Sequence, residues 1–169
     1  MLWFRKPKAR RKIFSFSEGV KVLRRHTIKI HWSYPVLLNN IFNKDEVYGT
    51  GLYYISRKRE NSEKLIYIGK TIDCFYNRLA AHSNTWLSDL RGPFYVRIGT
   101  IISPQYYDNN LLEDIESAII MSTNPPNNRD KRWSYTYRSG YLVRIHNEGY
   151  YGDLPKIIDA ELQLDPSSL

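Results

Sequence analysis

Tyr53, Tyr67, Arg78, His82 and Glu116 are the residues whose types and spacing could do chemistry together. Tyr53 and Tyr67 stand in two apolar runs, GLYYIS and LIYIGK, on either side of the charged link RKRENSE. If the link folds back with its centre near Glu60, Tyr53 faces Tyr67, Ile55 faces Leu65 and Gly51 faces Gly69, and alternation puts both phenols on one face. The other face then carries Leu52, Tyr54, Ile66 and Ile68, to be buried against a helix. Arg78 and His82, four apart in a helical segment, share a side of it. That sets a permanently charged fork able to grip a phosphate beside a ring able to move a proton. Glu116 borders the apolar stripe Leu111, Leu112, Ile115, Ala118 and Ile119, lying between Leu112 and Ile120. A carboxylate there is costly to desolvate unless a cation meets it, which is what a metal site provides. Glu113 falls further from the stripe and Asp114 on its other flank, and both read as solvated. Plainer uses exist for each residue: paired tyrosines stabilise ordinary sheets, an arginine can lie on a surface, a histidine can be packed, and a border glutamate can snorkel or pair with an arginine.

The elements that must position these groups follow from local pattern. Residues 50–56, 64–69 and 93–102 predict strands, and 73–88 a helix capped by Asp73. Asp108 caps a helix over DNNLLEDIESAIIMST that NPPNN at 124–128 stops. Ahead of these, SYPVLLNNIF predicts a short helix to about Phe42. Behind them, WSYTYRSGYLVRIH predicts a hairpin turning at RSG, and PKIIDAEL a last short helix. The division expected is a basic arm with a covering helix over 1–45, a core over 46–128, and an aromatic and basic extension over 129–169.

Charge sharpens that division. Residues 1–34 carry a balance of +9 and the remaining 135 a balance of −1, within a total of +8. The arm RKPKARRK, with Arg5, Lys6, Lys8, Arg10, Arg11 and Lys12, suits a polyanion through phosphate contacts and counterion release. A solvated tail or a presequence has the same composition. In the extension, Arg129, Lys131, Arg132, Arg138 and Arg144 interleave with Trp133, Tyr135, Tyr137 and Tyr141, a pattern able to enter a groove, stack on bases, or simply pack. The single cysteine, Cys74, excludes an internal disulfide and a cysteine-based zinc site, and favours a reduced cytoplasm. Apolar runs fall short of the ~20 residues of a membrane span.

The ordered set GLYYI, YIGKT, RLAAH, ESAII and PPNN resembles the GIY-YIG nuclease superfamily over most of residues 50–128. The first motif corresponds to Gly51, Leu52 and Tyr53, with leucine in place of isoleucine, and the second to Tyr67, Ile68 and Gly69 followed by Lys70. The helix arginine corresponds to Arg78, with His82 one turn on; the glutamate to Glu116; and the asparagine to Asn128, with Pro125 three before it. The resemblance implies an α+β fold built on a small three-stranded antiparallel sheet flanked by helices, here with a basic N-terminal helical arm and a C-terminal hairpin and helix. It implies hydrolysis of nucleic-acid phosphodiesters with Mg²⁺, for which Mn²⁺ could substitute, held by Glu116. One carboxylate suits a cation that keeps most of its waters and takes substrate oxygens. Tyr53 is the implied activator of water; a free phenol has a pKa of ~10, so Lys70 would either lower it or handle the proton itself. Tyr67 would orient the water or a phosphoryl oxygen, Arg78 and His82 would meet the phosphate, and Asn128 would fix the glutamate helix against the sheet. Gly69 would leave room for substrate.

With no room for a separate recognition domain, the chain is similar to compact restriction-type members that bind DNA, partly through residues such as Arg132, and cut as homodimers. A structure-specific repair or mobile-element nuclease is the alternative within the family, and a non-catalytic nucleic-acid-binding module the alternative outside catalysis.

Overall fold

The structure is a computed structural model that describes residues 13–16, 24–60 and 62–160. In chain order it contains β1 (Ile13–Phe16), β2 (Arg24–Trp32), β3 (Val36–Leu37), α1 (Leu38–Ile41), a 3-10 turn (Asp45–Tyr48), β4 (Gly51–Arg59), β5 (Ser62–Thr71), α2 (Phe75–Ser83), β6 (Phe94–Ser103), α3 (Asn109–Thr123), β7 (Ser134–Tyr137), β8 (Tyr141–Gly149) and β9 (Ile157–Asp159).

The α+β class stands, but the expected small three-stranded sheet does not. Strands β5, β4 and β6 are antiparallel neighbours, yet the sheet continues through β2, β8 and β9 in the order β5-β4-β6-β2-β8-β9, with β3 also paired to β6, for seven strands. The part of the arm expected to be helical contributes β2, antiparallel to β6 and parallel to β8. Along β2, Ile28, Ile30 and Trp32 are fully buried while Thr27, Lys29 and His31 face out. That is strand alternation, and it outweighs the charge of the segment. The expected C-terminal hairpin is also absent. β7 pairs in parallel with β1 in a separate two-stranded sheet, β8 joins β2, and the predicted last helix is the strand β9 against β8. The covering helix shrinks to the single turn α1, because Val36 and Leu37 pair with β6.

Two apolar clusters sandwich the sheet. On one face Leu52, Tyr54 and Ile68 pack against Leu112, Ile115 and Ile119 of α3; on the other Tyr53, Ile55, Val96 and Ile98 pack against Ile41 of α1 and Phe75 and Leu79 of α2. Each such aliphatic or aromatic side chain stabilises the fold by about 1.5–3 kcal/mol on burial. Helix α3 forms as predicted: the Asp108 carboxylate accepts from the Leu111 amide at 2.8 Å, and Asn124, left-handed at φ 53°, ends it ahead of the proline pair. Helix α2 is shorter than predicted, and Cys74 rather than Asp73 stands at its cap.

The β4–β5 hairpin is shifted by one residue on each strand. Gly51 faces Thr71, Tyr53 faces Gly69 and Ile55 faces Tyr67, with a bulge between Ile55 and Ser56. The shift preserves parity, so Tyr53 and Tyr67 still share a face, now as a diagonal stacked pair with centroids 6.0 Å apart. The bulge sends Ile66 into the cluster under α2, not to the face of Leu52, Tyr54 and Ile68 as expected.

No helix among the described residues is long and apolar enough to cross a membrane.

Candidate active site

Gly51 opens β4 at φ 131°, a conformation only glycine adopts without strain, and brings Tyr53 to the middle of the strand. Tyr53 is fully buried. Its ring lies over Gly69, where an added Cβ would come within 2.8 Å of Cε1. The glycine therefore makes room for a tyrosine rather than for substrate.

The Tyr53 hydroxyl is the end of a directional hydrogen-bond chain. The indole N–H of Trp86, which can only donate, reaches Nδ1 of His82 at 2.9 Å. In the neutral ring the proton must then sit on Nε2, which donates to the Tyr53 hydroxyl oxygen at 2.8 Å. Arg78 stands close enough for its positive charge to act on the same hydroxyl. Tyr67 lies on the cleft side of Tyr53, its ring stacked with centroids 6.0 Å apart. Burial, with the Arg78 charge adding to it, holds the His82 pKa at about 4, so the ring is neutral at physiological pH. Burial also pushes the Tyr53 phenol far above its ordinary range and raises that of Tyr67, the latter helped by Glu116. Tyr53 is thus sealed from solvent and more weakly acidic than a free phenol, the reverse of what the sequence reading asks of it; Tyr67 reaches the open side.

That open side is a cleft of about 510 Å³ lined by Tyr67, Lys70, Arg78, Glu116 and Asn128 together with neighbours on β5, α3 and the loop that follows it. Of the seven residues expected to converge, five line the cleft, while Tyr53 and His82 stand behind Tyr67 and Arg78. Asn128 makes a two-pronged clamp on Ile68 of β5, its Oδ1 accepting from the backbone N–H at 3.0 Å and its Nδ2 donating to the backbone carbonyl at 2.7 Å. It fixes the loop after α3 to the sheet and is 6% exposed.

Glu116 is 8% exposed and meets the ammonium of Lys131 at 2.6 Å. The same ammonium is 2.6 Å from Glu113, whose other oxygen lies 3.1 Å from Lys70. Desolvation still raises the Glu116 pKa against the pull of Lys131 and Lys70. Lys70 is held at α3, donating to Asn109 at 2.8 Å, so the cation at the Tyr53 hydroxyl is Arg78 and not Lys70. Glu113, expected to be solvated, bridges two lysines, and Lys131 stands in the site without having been predicted there. Asp114, also expected at the surface, is fully buried, accepting from the Tyr135 hydroxyl and from the amides of Arg138 and Ser139. Its partners lie 21 or more residues away, so no local pattern discloses it. Trp86 was missed as well; its position four residues after His82, one helical turn on, is the signal that could have found it.

The lining balances four cations, Lys70, Arg78, Arg129 and Lys131, against four carboxylates, Asp73, Glu113, Glu116 and Asp130. An anion entering gains nothing from net charge unless another cation enters with it. No cluster of three metal-ligating side chains occurs among the described residues. The pair Glu113 and Glu116 nevertheless already grips a cationic group at 2.6 Å on each side, a donor set that fits a cation needing few protein oxygens.

Of the extension residues, Tyr135 and Tyr137 are buried, whereas Trp133 is exposed with Arg132 against its ring and bonded to Asn124. Arg5, Lys6, Lys8, Arg10, Arg11 and Lys12 lie outside the described residues. Comparison with protein families, curated proteins and solved structures returned no match for this chain.

Proposed function

We propose that the chain is a metal-dependent endonuclease that hydrolyses DNA phosphodiesters, a restriction-type member of the GIY-YIG nucleases. The observation that carries this reading is the convergence of Tyr67, Lys70, Arg78, Glu116 and Asn128, from three elements and a loop, on one open cleft.

Glu116, with Glu113 beside it, would hold the Mg²⁺ or Mn²⁺, and that ion would neutralise phosphoryl oxygens and make bound water more acidic. Arg78 presents its fork to the same phosphate while its charge acts on Tyr53. Tyr67, protonated at neutral pH, donates its hydroxyl hydrogen to a phosphoryl oxygen or to the attacking water. Tyr53, His82 and Trp86 stand behind the cleft; they form a hydrogen-bonded support against which Tyr67 stacks. Asn128 keeps the wall carrying Glu116 at a constant distance from β5.

A second reading, a binding module without catalysis, is favoured by the ion pair with Lys131, which satisfies Glu116 by itself. Purified protein incubated with plasmid, branched DNA and RNA, with Mg²⁺ or with chelator, separates the readings. Discrete metal-dependent plasmid fragments are expected; cutting confined to branched DNA points to a repair-type enzyme, and retention of DNA without cutting to the binding module. Glu116→Gln, close in shape, is expected to lower cleavage at least about 10³-fold while the fold persists. Cutting at the wild-type rate by that variant refutes the assignment of Glu116.

A further inference from the structure

Lys131 is held where it is from both sides. Three residues upstream Asn128 is clamped to β5, and four residues downstream the Tyr135 hydroxyl is bonded to Asp114 of α3. Between these anchors Lys131 adopts φ 62°, a left-handed conformation that a lysine enters only at a steric cost. Its ammonium meets Glu113 Oε1 and Glu116 Oε2 at 2.6 Å each and lies 5.5 Å from the centre of the Tyr135 ring. One positive group thus faces two carboxylates and an aromatic face, as a bound cation would.

We propose that Lys131 is a tethered competitor for the metal: its ammonium occupies the cation position at Glu113 and Glu116 in the resting protein, and a divalent ion enters only by displacing it into the cleft. This rests on the nuclease reading of the site. Exchange follows from charge. A divalent ion shared by Glu113 Oε1 and Glu116 Oε2 would stand where the Lys131 ammonium now is, so that cation must leave, whereas Lys70 meets the other oxygen of Glu113 and is held aside by Asn109. The cleft that Lys131 also lines gives the departing side chain a place to go, beside the position expected for phosphate. Metal affinity in the absence of substrate is therefore set low by the chain itself. Substrate phosphate, by receiving the displaced ammonium, makes the exchange easier, so metal and DNA bind cooperatively.

The test is Mn²⁺ binding by the full chain without DNA, followed by calorimetry and by the electron paramagnetic resonance of free Mn²⁺. Lys131→Asn is the informative variant, because asparagine tolerates the left-handed backbone and is too short to reach Glu116. It is expected to bind Mn²⁺ at least about tenfold more tightly than wild type, a shift of about 1.4 kcal/mol. Lys131→Arg, which keeps the charge, is expected to stay within about twofold of wild type, and Glu116→Gln to lose binding. If Lys131→Asn melts early in chelator, Mn²⁺ is expected to restore its melting temperature by a larger increment than wild type gains. Equal or weaker Mn²⁺ binding by Lys131→Asn, with wild type binding and Glu116→Gln not, overturns the competition and leaves the metal site standing. Failure of wild type and Lys131→Asn alike to bind Mn²⁺ overturns both.

Discussion

Tyr53 and Tyr54 are neighbours on β4 that point to opposite faces of the sheet, and each gathers an arginine and has a glutamate near it. Under Tyr54, Arg97 lies 4.8 Å from the ring centre and pairs with Glu63, which also accepts from Ser56, while the Tyr54 hydroxyl accepts from the Asp153 amide at 3.2 Å. Burial raises that phenol to about 12. Arg97 is 5% exposed. Beside Tyr53 the same residue types are arranged otherwise: Arg78 is exposed and lines a cleft, and the carboxylate of Glu116 meets a lysine from a strained loop. Residue types therefore do not separate the two clusters. What separates them is the arginine: Arg97 is shut among fixed partners, whereas Arg78 stands at an opening.

Matched substitutions put the largest strain on this contrast. Arg78→Met is expected to slow cleavage about 10²–10³-fold with little change in melting temperature. Arg97→Met is expected to do the opposite, lowering stability by about 1–2 kcal/mol, because Glu63 loses its buried cation but keeps Ser56 and partial solvent contact, and leaving turnover per folded molecule unchanged. Urea titrations and cleavage rates on the same preparations read both. Loss of cleavage by folded Arg97→Met would merge the two groups into one site.

A smaller effect comes from acidity. Because the folded His82 pKa lies near 4, below its ordinary 6.5, the contribution of that ring to stability is complete above about pH 6.5. It is lost as pH falls towards 4, where the unfolded chain binds a proton that the fold refuses. Allowing for solvent around the partly exposed ring, the loss is about 1–2 kcal/mol. His82→Gln should flatten that part of the stability profile; an unchanged profile would assign the slope to other groups.

The smallest effect is expected from Trp86→Phe, which removes the donor that fixes the His82 tautomer. The ¹⁵N spectrum of His82 should pass from the Nε2–H form to a mixture, and cleavage should fall by about tenfold or less. A tautomer that stays fixed would show that Tyr53 alone sets the direction of the chain.

The sequence disclosed what is local and periodic. Asp108 as a cap, the buried apolar positions of α3, and the shared face of Tyr53 and Tyr67 follow from local spacing along a single element or hairpin, although α3 is buried almost all round rather than along a stripe bordered by Glu116. It misled where partners are distant. Nothing near Arg24–Trp32 announces a parallel partner more than a hundred residues on, although the alternation of Ile28, Ile30 and Trp32 was there to be read beneath the charge. The burial of Asp114 and the approach of Lys131 depend on where the loop after α3 returns, which the motif spacing to Asn128 does not specify. The gathering of these residues around one cleft was therefore legible, but the division between those facing it and those behind it was not.

The clamp of Asn128 on Ile68 reaches beyond the cleft. β5 is the outermost strand at its end of the sheet, and the Asn127 amide also bonds the Ile66 carbonyl at 3.0 Å, so this short stretch of loop occupies backbone groups that would otherwise template a foreign strand. Damage to this one loop would thus appear twice, as a cleft that loses one wall and as a protein that sticks to itself.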